Sequence, residues 1–431
     1  MIMKNKLRIL IISNNPFSSY TNNGKTLESL FSWVPQSDLF QLYFHNSQEP
    51  DFFFCKNYFK VTDLEVIKTI CNFKSCGNKV CNDSTKNVSN WTETNKIVKK
   101  NRSSLLIFRD ILWKIGYNKF KRKNLYEWFE TISPDLIFFV AGNCGFAHEI
   151  SLDLSKRYNV PLYTYFTDDY IIYPQYTNLL EVLQKFRLKG IYEKTIKRSV
   201  SCFSIGEEMS KVYSLKYNKN FIPIMNSVNL SSIPPKTIKS PIIISFFGNL
   251  ELNRWKMIAR FANKLKLVEK LFNMDVLVKV YSMSILDDEM VSTFKQSNIE
   301  FCGFVSGDSF KEALKNSNIL LHVESDDKVY SSLTRLSVST KIPEYLVSNR
   351  PIIAYGPSDV ASISLLQKNK IGYVIDCKEE DSVITDLLKK YINEIITGNN
   401  YICKRAYNFV AQNYDKNKIQ ECLKNILYEC F

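Results

Sequence analysis

Eight short apolar runs, separated by stretches long enough for amphipathic helices, constrain this chain more than any other feature. They are LRILIIS (7–13), DLIFFVAG (135–142), PLYTYFT (161–167), CFSIG (202–206), PIIISFFG (241–248), DVLVKVYS (275–282), ILLHVES (319–325) and RPIIAYG (350–356). Several are apolar on both faces, as strands are when helices cover a sheet on each side. Alternation of such strands with helices gives a parallel α/β architecture. Most runs end in small residues, which let a ligand approach the carboxyl edge of a sheet. The 431 residues exceed what one core usually organises, so two Rossmann-like, doubly wound domains are expected, facing each other across a cleft. The expected division is 1–217, 218–400, and a closing helical segment, 401–431, able to pack back on the first domain. Within the division, 218–241 carries Pro223, Pro234, Pro235 and Pro241 and reads as the connection. Residues 72–104, rich in Asn, Lys, Ser and Thr, read as a mobile insertion.

Composition excludes several classes. No run of about eighteen apolar residues exists to span a bilayer. The opening MIMKNKLRILIISNN is a first strand, because its apolar stretch 7–12 contains Arg8, is short, and lacks a small-residue cleavage site. Eleven cysteines without a secretion signal imply reduced thiols in a cytosol. Three histidines leave a zinc site few ligands to draw on. The N-x-[ST] matches at Asn82, Asn87 and Asn90 read as chance in an Asn-rich segment. Charge is uneven: residues 96–123 hold ten Lys and Arg against Asp110 alone, so +9 of the net +14 lies there. Leu105, Leu106, Ile107, Phe108, Ile111, Leu112, Trp113 and Phe120 interleave with it. Such a stretch suits an anionic membrane surface or an acidic partner, or else a helix packed on the domain with its lysines solvated. Tyr117, Phe120, Tyr126, Trp128 and Phe129 read as core. With the charge confined to one amphipathic stretch and no reading motif beside it, nucleic acid is not an expected partner.

The stretch SVSTKIPEYLVSNRPIIAYG (337–356) looks built for an anion. Ser339, Thr340 and Lys341 precede a helix with Pro343 in its first turn, and a helix start offers N–H groups and partial positive charge. Glu344, one turn on, can accept from neighbouring hydroxyls such as those of a ribose. Diphosphate plus ribose is the recognition problem of a nucleotide sugar. The competing reading is a capped helix with Ser339 or Thr340 as N-cap and a solvated Glu344.

The order of these segments resembles the retaining GT-B nucleotide-sugar glycosyltransferases, in particular the family 4-like enzymes that build capsule, O-antigen and other bacterial surface polysaccharides. Glu344 and Pro351 keep that family's seven-residue spacing. DSFKEALKNSNILLHVES (308–325) resembles its approach to the donor, and FFGNLELNRWKMIARFANKL (246–265) its Gly-led phosphate loop. FSIGEEMSKVYSLKYNKNFIPIMNSVN (203–229) resembles its interdomain hinge. The resemblance implies an acceptor-side first domain, a donor-binding second domain, and attack by an acceptor hydroxyl with retention. It also implies no metal and no cofactor beyond the donor. The acceptor would be a glycan or a polyprenyl-diphosphate-linked oligosaccharide at the cytoplasmic face of the plasma membrane, where the enzyme is peripheral. Donor-side residues would be Gly24, Gly248, Asn249, Arg254, His322, Glu324, Ser339, Thr340, Lys341 and Glu344, with Arg254 and Lys341 stabilising the leaving diphosphate.

Departures from the family are specific. Leu336 stands where relatives carry a first glutamate, a role left to Glu324 or lost. Asn249 replaces the arginine after the loop glycine, so Arg254 becomes the cation. The loop after the first strand has only Gly24. Asn143 stands where a histidine usually approaches the reacting sugar, and His148 lies in the following helix. Asp168-Asp169 is not the metal motif of the other glycosyltransferase fold, since adjacent side chains on a strand end point to different sides. One of them is placed to orient or deprotonate the acceptor, the alternative being a capping Asp beside a solvated one. His322 reads either as core or as a donor contact. Lys25 follows a glycine but lacks the Walker spacing. The rival functions are a non-catalytic subunit of a glycan assembly complex and another nucleotide-sugar enzyme, such as an epimerase.

Overall fold

The computed structural model describes residues 6–18, 22–72, 76–81, 102–176, 178–230, 234, 236, 238–429 and 431. The contacts divide the chain into two compact units, Met1–Ile224 with Asn425–Phe431, and Met225–Lys424. The expected boundary at 217/218 precedes the observed one, because Phe221–Pro223 still forms a strand of the first sheet.

The first unit carries an eight-stranded sheet. Its strands are β1 (Ile9–Ser13), β2 (Leu39–Tyr43), β3 (Asn57–Lys60), β4 (Asn78–Val80), β5 (Leu136–Ala141), β6 (Leu162–Phe166), β7 (Cys202–Ser204) and β8 (Phe221–Pro223), in the order β4-β3-β2-β1-β5-β6-β7-β8. Every pairing is parallel except β3 with the edge strand β4. β1 pairs with β2 and β5 at once, Ile9 opposite both Leu39 and Leu136, and the order reverses at β1/β5. β1, β2, β5 and β6 are buried throughout, and β1, β5 and β6 accordingly read as apolar runs, whereas Gln41 interrupts β2. Of the expected insertion 72–104, the parts at 73–75 and 82–101, with the three N-x-[ST] sites and Lys96, Lys99 and Lys100, lie outside the described residues. Between them, β4 continues the sheet edge.

The second unit has six strands: β9 (Ile242–Phe247), β10 (Val276–Tyr281), β11 (Ile299–Gly303), β12 (Ile319–Val323), β13 (Ile352–Gly356) and β14 (Tyr373–Asp376), in the order β11-β10-β9-β12-β13-β14. All pairings are parallel. Numbered within the unit this is 3-2-1-4-5-6, the doubly wound order whose crevice for ligands opens where the direction of winding reverses, here at β9/β12. Its core packs Ile244, Phe246, Val278, Val280, Leu321, Ile353 and Tyr355 against Ile258, Phe261 and Leu265 of the helix Arg254–Phe272. The arginine of the Arg-Pro pair is structural. Arg350 is buried and donates to the carbonyls of Lys315, Ser317 and Pro234 at 3.1, 3.0 and 2.8 Å, satisfying the end of the helix Gly307–Asn316.

Candidate functional site

At the reversal in the second unit, β9 runs into Gly248 and Asn249 while β12 runs into Glu324. Arg254 opens its helix after a loop whose last two residues, Leu252 and Asn253, both have φ of 59°. For a leucine this left-handed backbone is strained, costing about 1–2 kcal/mol. The turn brings the Arg254 guanidinium between the two strand ends. It donates to Asn249 Oδ1 at 2.9 Å and to Glu324 Oε2 at 3.1 Å. Glu324 is only 2 % exposed, and a carboxylate that deep requires such a partner. A Cβ on Gly356 would lie 3.0–3.1 Å from the Glu324 backbone, so the absence of a side chain at the end of β13 lets Glu324 sit there. Gly248 has a similar use, since a Cβ would press on the Phe246 ring at 3.0 Å.

His322 Nε2 lies 3.5 Å from Glu324 Oε1 and, buried, has no hydrogen-bond partner among the described residues. Burial holds its pKa below the ordinary value, with Arg254 acting the same way and Glu324 against it. Among the described residues, a neutral imidazole edge therefore stands unsatisfied beside the carboxylate.

The 339–344 segment meets the same strand end through a residue the sequence did not single out. The buried Tyr345 hydroxyl accepts the Phe247 N–H at 2.9 Å and donates to the Phe247 carbonyl at 3.3 Å. Phe247 in turn packs edge-on to Phe310, whose ring lies 4.8 Å from Lys341 Nζ. Lys341 Nζ is 3.5 Å from Glu344 Oε2. The helix Ile342–Val347 is only six residues long, so its dipole adds little. Its N-cap is Lys341, without a side-chain cap hydrogen bond, rather than Ser339 or Thr340. Ser339 is held by the backbone, its N–H donating to Ser362 Oγ at 3.0 Å, its hydroxyl accepting the Lys341 N–H at 3.4 Å. Thr340 is half-buried. Leu336 is buried.

The first-unit candidates separate. Asn143 follows β5 at the β1/β5 reversal and is half-buried. His148 is fully buried, its ring against Phe139 and Tyr192. Its Nε2 lies 3.1 Å from the Gly142 carbonyl, an acceptor only, so this nitrogen carries the proton and Nδ1 faces Thr195 Oγ1 at 3.0 Å. Burial pushes its pKa down to about 4. Asp169 is also fully buried and accepts from the N–H groups of Ile171, Ile172 and Tyr173 at 2.9, 2.9 and 2.8 Å and from the Tyr213 hydroxyl at 2.9 Å. Asp168 is half-buried, with the Thr167 hydroxyl at 3.2 Å and the Tyr170 hydroxyl at 3.5 Å. Gly24 is buried in the helix Asn22–Phe31, where a Cβ would lie 2.5 Å from the Pro16 carbonyl.

The five aromatics at 117–129 are buried. In the helix Arg102–Phe120, Asp110 takes Arg187 at 2.6 Å, and Arg109 pairs with Asp63 at 2.9 Å. Phe108, Ile111, Leu112 and Ile115 face outward and are exposed. Among the described residues, no group of three or more His, Cys, Asp or Glu could hold a metal, and no helix is long and apolar enough to cross a membrane.

No family model matches the sequence and no curated protein matches it. Solved structures do. TarM from S. aureus, as a point mutant in complex with fondaparinux, alpha-GlcNAc-glycerol and UDP, is 12% identical over 98% of this chain and 100% of its own, with a TM-score of 0.61. A glycosyltransferase from Rickettsia africae is 13% identical over 99% and 100%, with 0.60. Anabaena HepE in complex with UDP-glucose is 11% identical over 97% and 99%, with 0.56. The fold is GT-B.

On the GT-B frame, the expected site residues divide by what they contact. Gly248, Asn249, Arg254, His322 and Glu324 meet at one strand reversal, and Lys341 and Glu344 are tied to it through Tyr345 and Phe247. Three expectations are corrected. His148 is a core histidine with both ring nitrogens facing protein atoms. Asp169 commits its carboxylate to four protein donors, so only Asp168 of the pair reaches the surface. Gly24 serves the packing of its helix on the loop after β1. No sequence signal separated Asp168 from Asp169, and the Tyr345 hydroxyl was hidden in an apolar trio.

Proposed function

We propose that this GT-B protein is a glycosyltransferase that moves a sugar from a nucleotide-diphosphate sugar to a hydroxyl of a glycan or polyprenyl-diphosphate-linked acceptor, with retention and without a metal or cofactor. The observation that carries the reading is the Arg254–Glu324–His322 group at the β9/β12 reversal, where a doubly wound sheet takes its ligand. Glu324 accepts donor-sugar hydroxyls through the oxygen nearer His322, and His322 Nε2 makes a further hydrogen bond. Arg254, steadied by Glu324 and Asn249, faces the diphosphate together with Lys341, while Glu344 accepts from the ribose. As the anomeric C–O bond to the diphosphate breaks, its electron pair stays on the phosphate oxygen, and these fixed cations stabilise the charge. The acceptor oxygen forms the new bond, its proton passing to the leaving phosphate. UDP is the first base to test, since the TarM and HepE complexes contain UDP and UDP-glucose.

A role in bacterial surface-polysaccharide synthesis at the inner face of the plasma membrane belongs to the same proposal. Phe108, Ile111, Leu112 and Ile115, exposed at helical spacing, with Arg122 and Lys123 exposed at the end of the stretch, suit an anionic leaflet. Lys119 and Lys121 contribute less, being engaged with the Ile70 carbonyl and the Tyr117 ring. Vesicle co-sedimentation of the variant with Lys119, Lys121, Arg122 and Lys123 neutralised should show weaker retention.

The main test is a thermal-shift panel of UDP-, GDP-, ADP-, CMP- and dTDP-sugars followed by a hydrolysis assay. A shift with one nucleotide class, lost in Lys341→Ala and Glu344→Ala, supports the donor site. No shift with any of them refutes it. The second reading, a non-catalytic subunit, draws on the buried Leu336 and on His148 being core, and it expects a shift with neither hydrolysis nor transfer to any acceptor.

A further inference from the structure

We infer that a cavity of about 330 Å³ in the first unit, outside both the donor group and the exposed 108–115 face, binds an apolar chain ending in a phosphate. It is lined by Ile171, Val182 and Phe186 and by three lysines, Lys185, Lys189 and Lys216. One wall is the segment that leaves the carboxyl end of β6. The three backbone N–H groups of 171–173 held by Asp169 fix that wall in place. The opposite wall is the helix Leu179–Arg198.

The chemistry of the lining is mixed in a particular way. Lys185 is anchored, donating to the Pro174 carbonyl at 3.1 Å with its ammonium 5.5 Å from the Tyr176 ring. Among the described residues, neither Lys189 nor Lys216 has a carboxylate within ion-pair distance. Glu181, close enough to act on the Tyr176 hydroxyl, is an acidic neighbour. Lys189 and Lys216 are exposed, so their flexible ammonium groups can turn toward an anion held at the rim of the hollow. The hollow is many times the roughly 10–15 Å³ that admits one water, so a larger group can enter it.

Inorganic phosphate would satisfy the lysines but not the rest of the surface. Leu179, Leu183 and Phe186, at i, i+4 and i+7 of the helix, are 73, 47 and 69 % exposed. They extend the apolar lining outward along the direction a chain would leave. An amphiphile covers both parts. The proposed function gives such an amphiphile the place of a lipid-linked acceptor. That assignment rests on the proposed function, whereas the binding itself does not.

The test is calorimetric titration of the full chain with n-decyl phosphate below its micelle concentration, beside n-decanol and inorganic phosphate. Decyl phosphate should bind at least tenfold more tightly than either, and the Lys189→Gln/Lys216→Gln variant should bind it about tenfold more weakly. Phe186→Asp should weaken it as well, while the thermal shift with UDP-sugar stays unchanged in both variants, since neither touches the donor group. Vesicles of phosphatidylcholine carrying either phosphatidylglycerol or undecaprenyl phosphate then separate the sources. Retention only with the polyprenyl lipid assigns the cavity to the acceptor, and equal retention with both, lost in the lysine variant, assigns it to bilayer lipid. Equal binding of decyl phosphate by the wild type and the lysine variant overturns the inference, as does inorganic phosphate binding as tightly as decyl phosphate. Absence of any nucleotide-sugar shift in wild type, with decyl phosphate still bound, would defeat the proposed function and leave the cavity standing.

Discussion

Taking the protein from pH 8 to about pH 4 should cost the first unit about 3 kcal/mol through His148 alone. Unfolded, this imidazole titrates near 6.5; in the fold, burial pushes it down to about 4. Between those values the unfolded chain holds a proton that the native state refuses. The stabilising effect is complete above 6.5, declines as pH falls, and is gone at about 4. The difference, at about 1.4 kcal/mol per pH unit, gives the figure above. His148→Gln keeps a donor for the Gly142 carbonyl and cannot titrate. At pH 8 it should be less stable by about 1–3 kcal/mol, because it loses the ring packed between Phe139 and Tyr192. Toward pH 4 the gap should close and then invert. Subtracting the two urea-unfolding curves at each pH cancels the carboxylates common to both proteins. Tryptophan fluorescence suits the first unit, since Trp33, Trp113 and Trp128 lie in it and Trp255 in the second. Parallel loss of stability in the two proteins would show that His148 is not held neutral by the core. Unchanged stability with lost transfer activity would return it to the acceptor side.

Arg254→Ala should cost about 3 kcal/mol in urea unfolding, since it strands the Glu324 carboxylate in the interior. Adding Glu324→Gln should recover most of that stability without recovering the thermal shift with UDP-sugar. Tyr345→Phe should cost about 1–3 kcal/mol by leaving the Phe247 N–H without its partner, and should weaken donor binding in the same titration. Gly356→Ala should lower the melting temperature and raise the donor Kd together, because the new methyl displaces the Glu324 backbone; an unchanged Kd would mean that Glu324 does not contact the donor.

All eight apolar runs named from the sequence form strands; most are buried on both faces, while β10 alternates and carries Lys279 on its half-exposed face. The strands that escaped notice are mostly edges. In β11, IEFCG places Glu300 and Cys302 away from the core, and in β4 the residues Asn78 and Lys79 are exposed, so neither forms an apolar run. The group at the β9/β12 reversal was legible because Gly248, Asn249 and Glu324 directly follow the two strands that flank it. The difference between Asp168 and Asp169 was not, because the two differ only in which one turns inward. His148 shows the same limit: its helical position was readable, but whether its ring met solvent or Thr195 depended on the packing of the helix Leu179–Arg198.

The Tyr345 hydroxyl and the left-handed pair at 252–253 together set how compliant the loop between β9 and its helix can be. The segment 248–253 is clamped at Phe247, enters a helix at Arg254, and ends in a left-handed pair of which Leu252 is strained. Such a segment has no slack to reach toward a smaller ligand or retreat from a larger one. Adjustment falls to side-chain torsions, above all those of Arg254. On the proposed function, the reach of one arginine side chain from a fixed backbone then sets where the diphosphate can lie.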